Sequence, residues 1–321
     1  MFRQLQILLL IKVIHFLIKT SRLQSETIGS IAILFQAMFW GLYPILVHEG
    51  VKLIPPLTFA VWSSFIASLG AFVYISITKR WHEILIKPAF LPMLMVTICI
   101  TFIPYLLFYT GAKLTSGLNT SMLMLSEVVF TFLFAHRLKE TITFNKLLGT
   151  MAILLGSFCL LYRGNLQINF GDILIFFSTL TYPIGNYYAK KALRLVSPMT
   201  IIFIRSLLSG IFLLPFALLF ETIPSAINLF TNHWLILLVN GLLIGWFTKI
   251  IWYEGLKRIP ITKAAALNMT FPLASLFVLF FIFHEQPTIL QAIGILIMFI
   301  GIYFTVKIST KRLDIIPGFF M

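Results

Sequence analysis

Ten long apolar stretches fill this chain almost from end to end, and each is long enough to cross a lipid bilayer. Of the 321 residues, 60% are hydrophobic and only 11% are charged, which leaves too little polar surface for a water-soluble fold. Backbone groups inside lipid must be paired internally, so such stretches form helices or a closed barrel. Runs without polar alternation exclude the barrel pattern. The sequence therefore predicts an all-α integral membrane protein with ten transmembrane helices.

These helices set the organisation of the chain. An amino-terminal segment, 1–27, precedes them, and its apolar part, 5–18, is predicted to be either a helix on the inner membrane surface or an unstructured extension. A cytoplasmic tail, 310–321, follows them. The predicted spans, numbered 1 to 10 along the chain, are 28–48, 57–77, 89–110, 116–136, 144–162, 171–190, 198–220, 232–253, 261–283 and 287–308.

Basic residues are distributed unevenly between the two ends of these spans. With the amino terminus placed in the cytoplasm, 19 of the 24 Lys and Arg residues fall in inner segments, three fall in outer loops and two lie inside spans. This positive-inside asymmetry predicts a cell inner (plasma) membrane protein with both termini in the cytoplasm. The net charge of +14 thus reflects the orientation of the chain in the membrane, and anionic lipid headgroups are expected to attract the basic residues. Nucleic-acid binding is not expected.

The two halves of the chain resemble each other. Residues 29–56 align with 171–198 at a spacing of 142, 108–113 align with 252–257 at 144, and 139–143 align with 284–288 at 145. Each copy holds five spans, an odd number, so the second copy must enter the membrane upside down. Inverted repeats are typical of secondary transporters. The sequence therefore predicts two inverted five-helix repeats, 28–165 and 166–309.

Several short motifs within these repeats point to one family. They are Trp40-Gly41, Pro198, Arg205, Tyr253-Glu254-Gly255-Leu256, Pro272, Glu285, Gly294 and Gly301. Together with the doubled five-span arrangement, they resemble the EamA-type repeat of the drug/metabolite transporter superfamily. Two departures are Glu127, where alignment with Pro272 would place proline, and span 6, which lacks Trp-Gly. The resemblance implies that spans 1, 3, 4, 6, 8 and 9 line a central cavity, and the family is similar to carriers of amino acids, amines, nucleosides, cofactor-like metabolites and drugs.

One carboxyl group lies deep in the predicted membrane region. Glu127 is near the middle of span 4, roughly 15 Å deep at about 1.5 Å per residue. An ionisable group at that depth usually faces a cavity or a partner. We interpret Glu127 as a proton-coupling site or an anchor for a substrate amine, and a protonated packing residue is the alternative.

Two cations also fall inside predicted spans. Lys249 lies four residues before the inner end of span 8, where it could bind a substrate carboxylate or extend its amine to the lipid headgroups. Arg205 lies about seven residues into span 7. For Arg205 the sequence favours a brace between helices over ligand contact.

Aromatic and amide side chains complete the predicted substrate-binding set. Trp and Tyr offer flat faces with a polar group, which suits flat or cationic substrates, and amides inside a membrane need partners. For the aromatics the alternative is a place in the interfacial belt or in helix packing, and for the amides it is hydrogen bonding between helices. The predicted set comprises Trp40, Tyr43, Tyr105, Glu127, Asn186, Trp246, Lys249 and Asn268.

The remaining patterns narrow the function. The sequence has no phosphate-binding glycine loop and no grouped Ser, His and acid residues, so neither ATP, a cofactor, a metal nor enzymatic catalysis is expected. The leading hypothesis is a secondary active transporter of a small polar or amphipathic metabolite, with an amino acid or related amine favoured and protons as a candidate coupling ion. It would work by alternating access. The alternative is a membrane-embedded lipid flippase or lipid-processing enzyme.

Overall fold

A computed structural model describes residues 24–135, 137, 140–162, 169–222, 224–274 and 288–306. The predicted surface helix at 5–18, the tail and Glu285 lie outside the described residues. Within those ranges, helical residues lie on every one of the ten predicted spans. The helices are α1 (24–53), α2 (Pro56–Thr78), α3 (Lys87–Leu114), α4 (117–133), α5 (Phe144–Leu161), α6 (170–192), α7 (Pro198–Phe220), α8 (226–256), α9 (261–274) and α10 (Ile289–Val306).

The chain is an all-helical, multi-pass membrane protein. Six helices in the described part are long and apolar enough to cross a bilayer, and two shorter apolar helices, Asn119–Leu133 and Phe144–Cys159, accompany them. The six are Gln24–Leu53, Pro56–Thr78, Lys87–Leu114, Pro198–Phe220, Ile227–Leu256 and Ile289–Val306. The exact number of crossings stays a prediction.

Six helices are irregular, and they are the same helices in both copies. Turns interrupt α1 at 41–42, α4 at 124–125, α6 at 181 and α9 at 269–271, while α3 and α8 contain π-helical segments at Thr97–Phe102 and Val239–Phe247. Pro44, Pro183 and Pro272 follow three of the four interruptions. Proline interrupts a helix because it lacks an N–H and its ring clashes with the preceding turn. The interruptions allow these six helices to bend.

Close glycine contacts relate the copies to each other. A Cβ built on Gly255 would lie 3.1 Å from the Gly29 oxygen, and one built on Gly111 would lie 2.7 Å from the Gly171 oxygen. Gly29 aligns with Gly171, and Gly111 aligns with Gly255. Helix α1 therefore packs on α8 as α6 packs on α3, which is the relation expected of two inverted copies about a pseudo-two-fold axis.

Carboxylates bind the start of each helix in the packed pair formed by α2 and α7. Glu221, which follows α7, accepts hydrogen bonds from the backbone N–H groups of Leu57 (2.7 Å) and Thr58 (2.8 Å). Glu83, which follows α2, accepts from the Ser197 N–H (2.7 Å) and the Thr200 hydroxyl (2.6 Å). Both acids satisfy N–H groups that a helix start leaves unpaired. One carboxylate at each end of the α2–α7 pair thus hydrogen-bonds across the boundary between the two copies.

Candidate functional site

A small polar cavity lies between the two copies. Its volume is about 20 Å³, which is room for about one water molecule. Helices α1, α3, α4, α6, α7, α8 and α9 contribute side chains to it. The lining residues are Trp40, Ile100, Glu127, Tyr182, Asn186, Arg205, Lys249, Trp252, Tyr253 and Asn268.

Five of the eight side chains in the predicted set line this cavity. They are Trp40, Glu127, Asn186, Lys249 and Asn268. These five residues lie on five different helices, at sequence positions up to 228 apart, so no local motif brings them together. The two inverted copies bring them together, because each contributes its bent helices to the same space.

The other three side chains in the predicted set lie outside the lining. Tyr43 stacks between the rings of Trp40 and Phe108, at centroid distances of 4.4 and 5.0 Å. Tyr105 packs with its ring 5.3 Å from that of another tyrosine. Trp246 packs on α2, where a Cβ on Gly70 would lie 3.0 Å from the indole. The structure therefore places these three aromatics in helix packing around the cavity.

Opposite charges share the cavity without touching. The Lys249 amine lies over the Trp40 ring, 3.2 Å from its centroid, a position in which the ring stabilises the cation. Glu127 is only 5% exposed, and its charge interacts with that of Lys249. In the part of the chain that the structure describes, no ion pair within 4.0 Å joins them. Lys249 thus faces the cavity, and because it does not pair with Glu127, both side chains are available to bind a charged ligand.

The cavity also includes residues outside the predicted set. Arg205 is 1% exposed and donates from Nη2 to the Gly245 carbonyl at 3.0 Å, so it does connect α7 to α8 as a brace would. Its guanidinium also faces the Tyr253 ring, 5.6 Å away. Tyr182 occupies the position in the second copy that aligns with Trp40 at the spacing of 142. The repeat itself was the signal that could have identified Tyr182.

Several polar atoms of the lining have no hydrogen-bond partner among the described residues. They are Trp40 Nε1, Asn186 Oδ1, Asn268 Oδ1, Tyr253 Oη, Arg205 Nε and Arg205 Nη1. A buried polar group left unpaired costs about 1–3 kcal/mol. Several such groups on residues that line one cavity indicate a site that receives a polar molecule or water.

A second buried polar cluster lies away from the cavity, and sequence reasoning missed it. Asn240 on α8 donates from Nδ2 to the Ser63 hydroxyl (2.8 Å) and the Tyr109 hydroxyl (2.7 Å). These bonds join α8 to α2 and α3. Ser63 aligns with Arg205 at 142, and Tyr109 aligns with Tyr253 at 144, so these two residues of the first copy, joined by Asn240 of the second, are the counterparts of Arg205 and Tyr253.

A larger cavity of about 480 Å³ opens at the end of the bundle that the charge distribution predicts to be cytoplasmic. Arg80, Arg194 and Lys257 contribute cations to its wall, and Glu83 and Glu254 contribute acids. Arg80 pairs with Glu83 at 3.1 Å, and Lys257 pairs with Glu254 at 3.0 Å. Most of the charge in this wall is therefore compensated locally.

Comparison with known proteins identifies the family. The profile of the EamA-like transporter family matches residues 27–162 and again residues 169–307. The chain belongs to this transporter family. The two matches cover most of the sequence, and they confirm the resemblance seen in the short motifs.

Relatives of this chain carry transporter names. It is 25% identical over 288 residues to "Uncharacterized transporter YoaV" of Bacillus subtilis (strain 168), covering 88% of this chain and 98% of that protein. It is 24% identical over 278 residues to an "Uncharacterized transporter" of Archaeoglobus fulgidus, covering 84% and 93%. A solved crystal structure with 16% identity superposes with a TM-score of 0.69 over 88% of this chain and 95% of the other. That superposition supports the fold alone.

Proposed function

We propose that this protein is a secondary active carrier of a small polar or amphipathic metabolite, with an amino acid or related amine as the favoured cargo. The observation that supports it most strongly is the cavity between the two copies, where Glu127, Lys249 and two amides converge. An amine could pair with Glu127 and a carboxylate with Lys249, while Trp40 supplies an apolar face. A transporter-family chain with a mixed-charge site at the repeat interface fits this role.

The small cavity supports alternating access as the mechanism. A space of about 20 Å³ is too small for any amino acid, so the surrounding helices must separate before the cargo enters. The interruptions in α1, α4, α6 and α9 and the π segments in α3 and α8 are places where these helices can bend. Because the copies are inverted, exchanging their conformations would open the site to the opposite side of the membrane.

Glu127 is the proposed coupling residue. Its carboxyl lies in the cavity beside an interrupted turn, where Glu127 N–H bonds the Met124 oxygen at 3.2 Å. Gaining or losing a proton changes the charge that faces Lys249, so it changes the affinity of the site for an amine. Proton binding on one side and release on the other would link transport to a pH gradient.

The proposed location is the cell inner membrane, with both termini in the cytoplasm. The distribution of basic residues supports this orientation. In that orientation the end of the bundle that carries Glu83 and Arg194 faces the cytoplasm.

The variant Glu127→Gln tests the coupling. In proteoliposomes with an imposed pH gradient, a labelled amino acid panel should accumulate with the wild-type protein and only equilibrate with Glu127→Gln. The matched control is Glu49→Gln, because Glu49 is 55% exposed and pairs only with Lys52 and His48 among the described residues. Gradient-driven accumulation that survives in Glu127→Gln would remove the coupling role. Absence of transport of every compound by the wild type would count against the carrier itself.

A lipid flippase is the second candidate, and the 480 Å³ cavity favours it. A lipid-handling protein needs a basic pocket at one leaflet, and Arg194 in that cavity has no acid within 4.0 Å among the described residues. Translocation of fluorescent phospholipids across the vesicle bilayer distinguishes the candidates. Phospholipid translocation that requires Arg194 and is unaffected by amino acids would favour the flippase. Amino acid uptake without phospholipid translocation would favour the carrier.

A further inference from the structure

Arg205 has more hydrogen-bond donors than the surrounding protein uses. An arginine carries five N–H donors, and in the described residues only the Gly245 carbonyl accepts one of them. Nε and Nη1 have no partner there. A bond to the nearby Tyr253 hydroxyl would use one more. The guanidinium is 1% exposed and lines the cavity, and two of its nitrogens have no acceptor among the described residues.

The charges around the cavity do not balance. When all three groups are ionised, Arg205 and Lys249 supply two positive charges and Glu127 supplies one negative charge. The lining therefore has an excess of one positive charge, which rises to two when Glu127 binds a proton. Buried charges are costly unless paired, so the chemistry that completes this site is an anion.

The first copy shows that this place in the fold does not need an arginine. At the aligned position it has Ser63, and the Ser63–Asn240–Tyr109 cluster joins α2, α3 and α8 with neutral groups. A neutral cluster thus suffices to hold the equivalent helices together. The cation in the second copy, with its unused donors, requires an explanation beyond helix packing.

We propose that Arg205 binds an oxyanion of the cargo, a carboxylate or a phosphate, so that the carrier rejects amines that have no acid group. This inference rests on the proposed function in taking the central cavity as the substrate site. It narrows the cargo from amino acids and amines to acid-bearing metabolites. Planar guanidinium groups suit both oxyanions because their donors match the spacing of the acceptor oxygens.

Ligand-induced thermal stabilisation of the purified protein tests the inference without requiring transport. The probes are the protein amino acids, the amines formed from them by decarboxylation, and phosphate esters such as phosphoethanolamine and glycerol phosphate. A compound that binds the folded state raises the Tm. Either the amino acids or the phosphate esters should raise the Tm, while the amines without an acid group should not. The class of compound that raises the Tm then shows whether the site binds a carboxylate or a phosphate. Equal stabilisation by amines, or no stabilisation by any acid-bearing compound, would overturn the proposal.

Variants at the site provide the second readout. Arg205→Gln should weaken binding of the responding acid by about 30-fold or more, and Arg205→Lys should recover part of that affinity because it restores the charge. The matched control is Asn240→Ala, which breaks the equivalent neutral cluster and should lower the Tm without changing which ligands bind. Unchanged acid binding in a folded Arg205→Gln protein would contradict the inference.

Transport in proteoliposomes separates this inference from the proposed function. Uptake of amines that equals uptake of acids would leave the carrier intact and refute the role of Arg205. Binding of acids without uptake of any of them would leave the oxyanion site intact and refute the carrier.

Discussion

At the scale of single residues, Trp40 and Tyr43 show how neighbouring aromatics take different roles. They lie three positions apart on α1, and both are buried. Trp40 lines the cavity beneath the Lys249 amine, whereas Tyr43 is enclosed by the Trp40 and Phe108 rings. Replacing Trp40 therefore tests its contact with the Lys249 amine in the cavity, and replacing Tyr43 tests a role in helix packing.

Trp40→Leu should raise the KM for uptake by about 2- to 30-fold, because it removes a cation–π contact worth about 0.5–2 kcal/mol. Tyr43→Phe keeps the stacked ring and should change the KM by less than about twofold, since its hydroxyl lies outside the cavity. Initial uptake rates in proteoliposomes measure both values. A larger effect from Tyr43→Phe than from Trp40→Leu would contradict this assignment.

The sequence revealed which residues lie deep in the membrane but not the direction in which they point. Lys249 and Arg205 could each have extended toward the headgroups, and their long stems allow it. Their inward direction follows from contacts with α1 and α8 that no local pattern encodes. The same limit explains why Tyr43 entered the predicted site and Tyr182 did not.

At the scale of helices, prolines explained three of the four interruptions, and the fourth had no such signal. Helix α4 is interrupted at 124–125 although Glu127 stands where its counterpart α9 has Pro272. Bonds from Glu127 and Val128 to residues three positions earlier tighten the turn there. Pro215 shows the converse, because α7 continues through it from Pro198 to Phe220. Helix positions were thus predictable, and their bends were only partly so.

Glu83 illustrates a contribution that belongs to helix ends. Burial alone raises its pKa, but hydrogen bonds from Thr200 and Ser197, with the charge of Arg80, outweigh this and hold the pKa below its ordinary value of 4.5. Because the pKa of Glu83 is lower in the folded state, its carboxylate stabilises the fold fully at pH values above the pKa of the unfolded state. That stabilisation is lost as the pH falls through the pKa of the folded state.

Glu83→Gln should lower the stability at neutral pH by about 1 kcal/mol, the usual value of a helix-capping side chain. The Tm difference from wild type, measured in detergent, should be constant from neutral pH to near pH 5 and shrink below about 4.5. Glu49→Gln is the control, because exposed ion pairs contribute little. A difference that grows on acidification would show that the carboxylate does not stabilise the start of α7.

At the scale of the whole molecule, the inverted duplication accounts for both the fold and the site. Alignment of the halves predicted which helices are equivalent, and the reciprocal glycine contacts and paired carboxylates follow that equivalence. The copies are unequal where chemistry is expected, with Arg205 opposite Ser63 and Glu127 opposite Pro272. A symmetric scaffold thus carries an asymmetric, charged centre.

The central claim is that one cavity between the copies opens in turn to each side of the membrane. Asn268, which lines it and is 4% exposed, is the position to probe after Cys99 and Cys159 have been replaced by serine. A membrane-impermeant thiol reagent should label the Asn268→Cys protein in both right-side-out and inside-out vesicles, with transported substrate slowing both reactions. Leu296→Cys, at a 64% exposed apolar position of α10, should stay unlabelled within the bilayer. Labelling of Asn268→Cys from one side only, or from neither, would contradict the account.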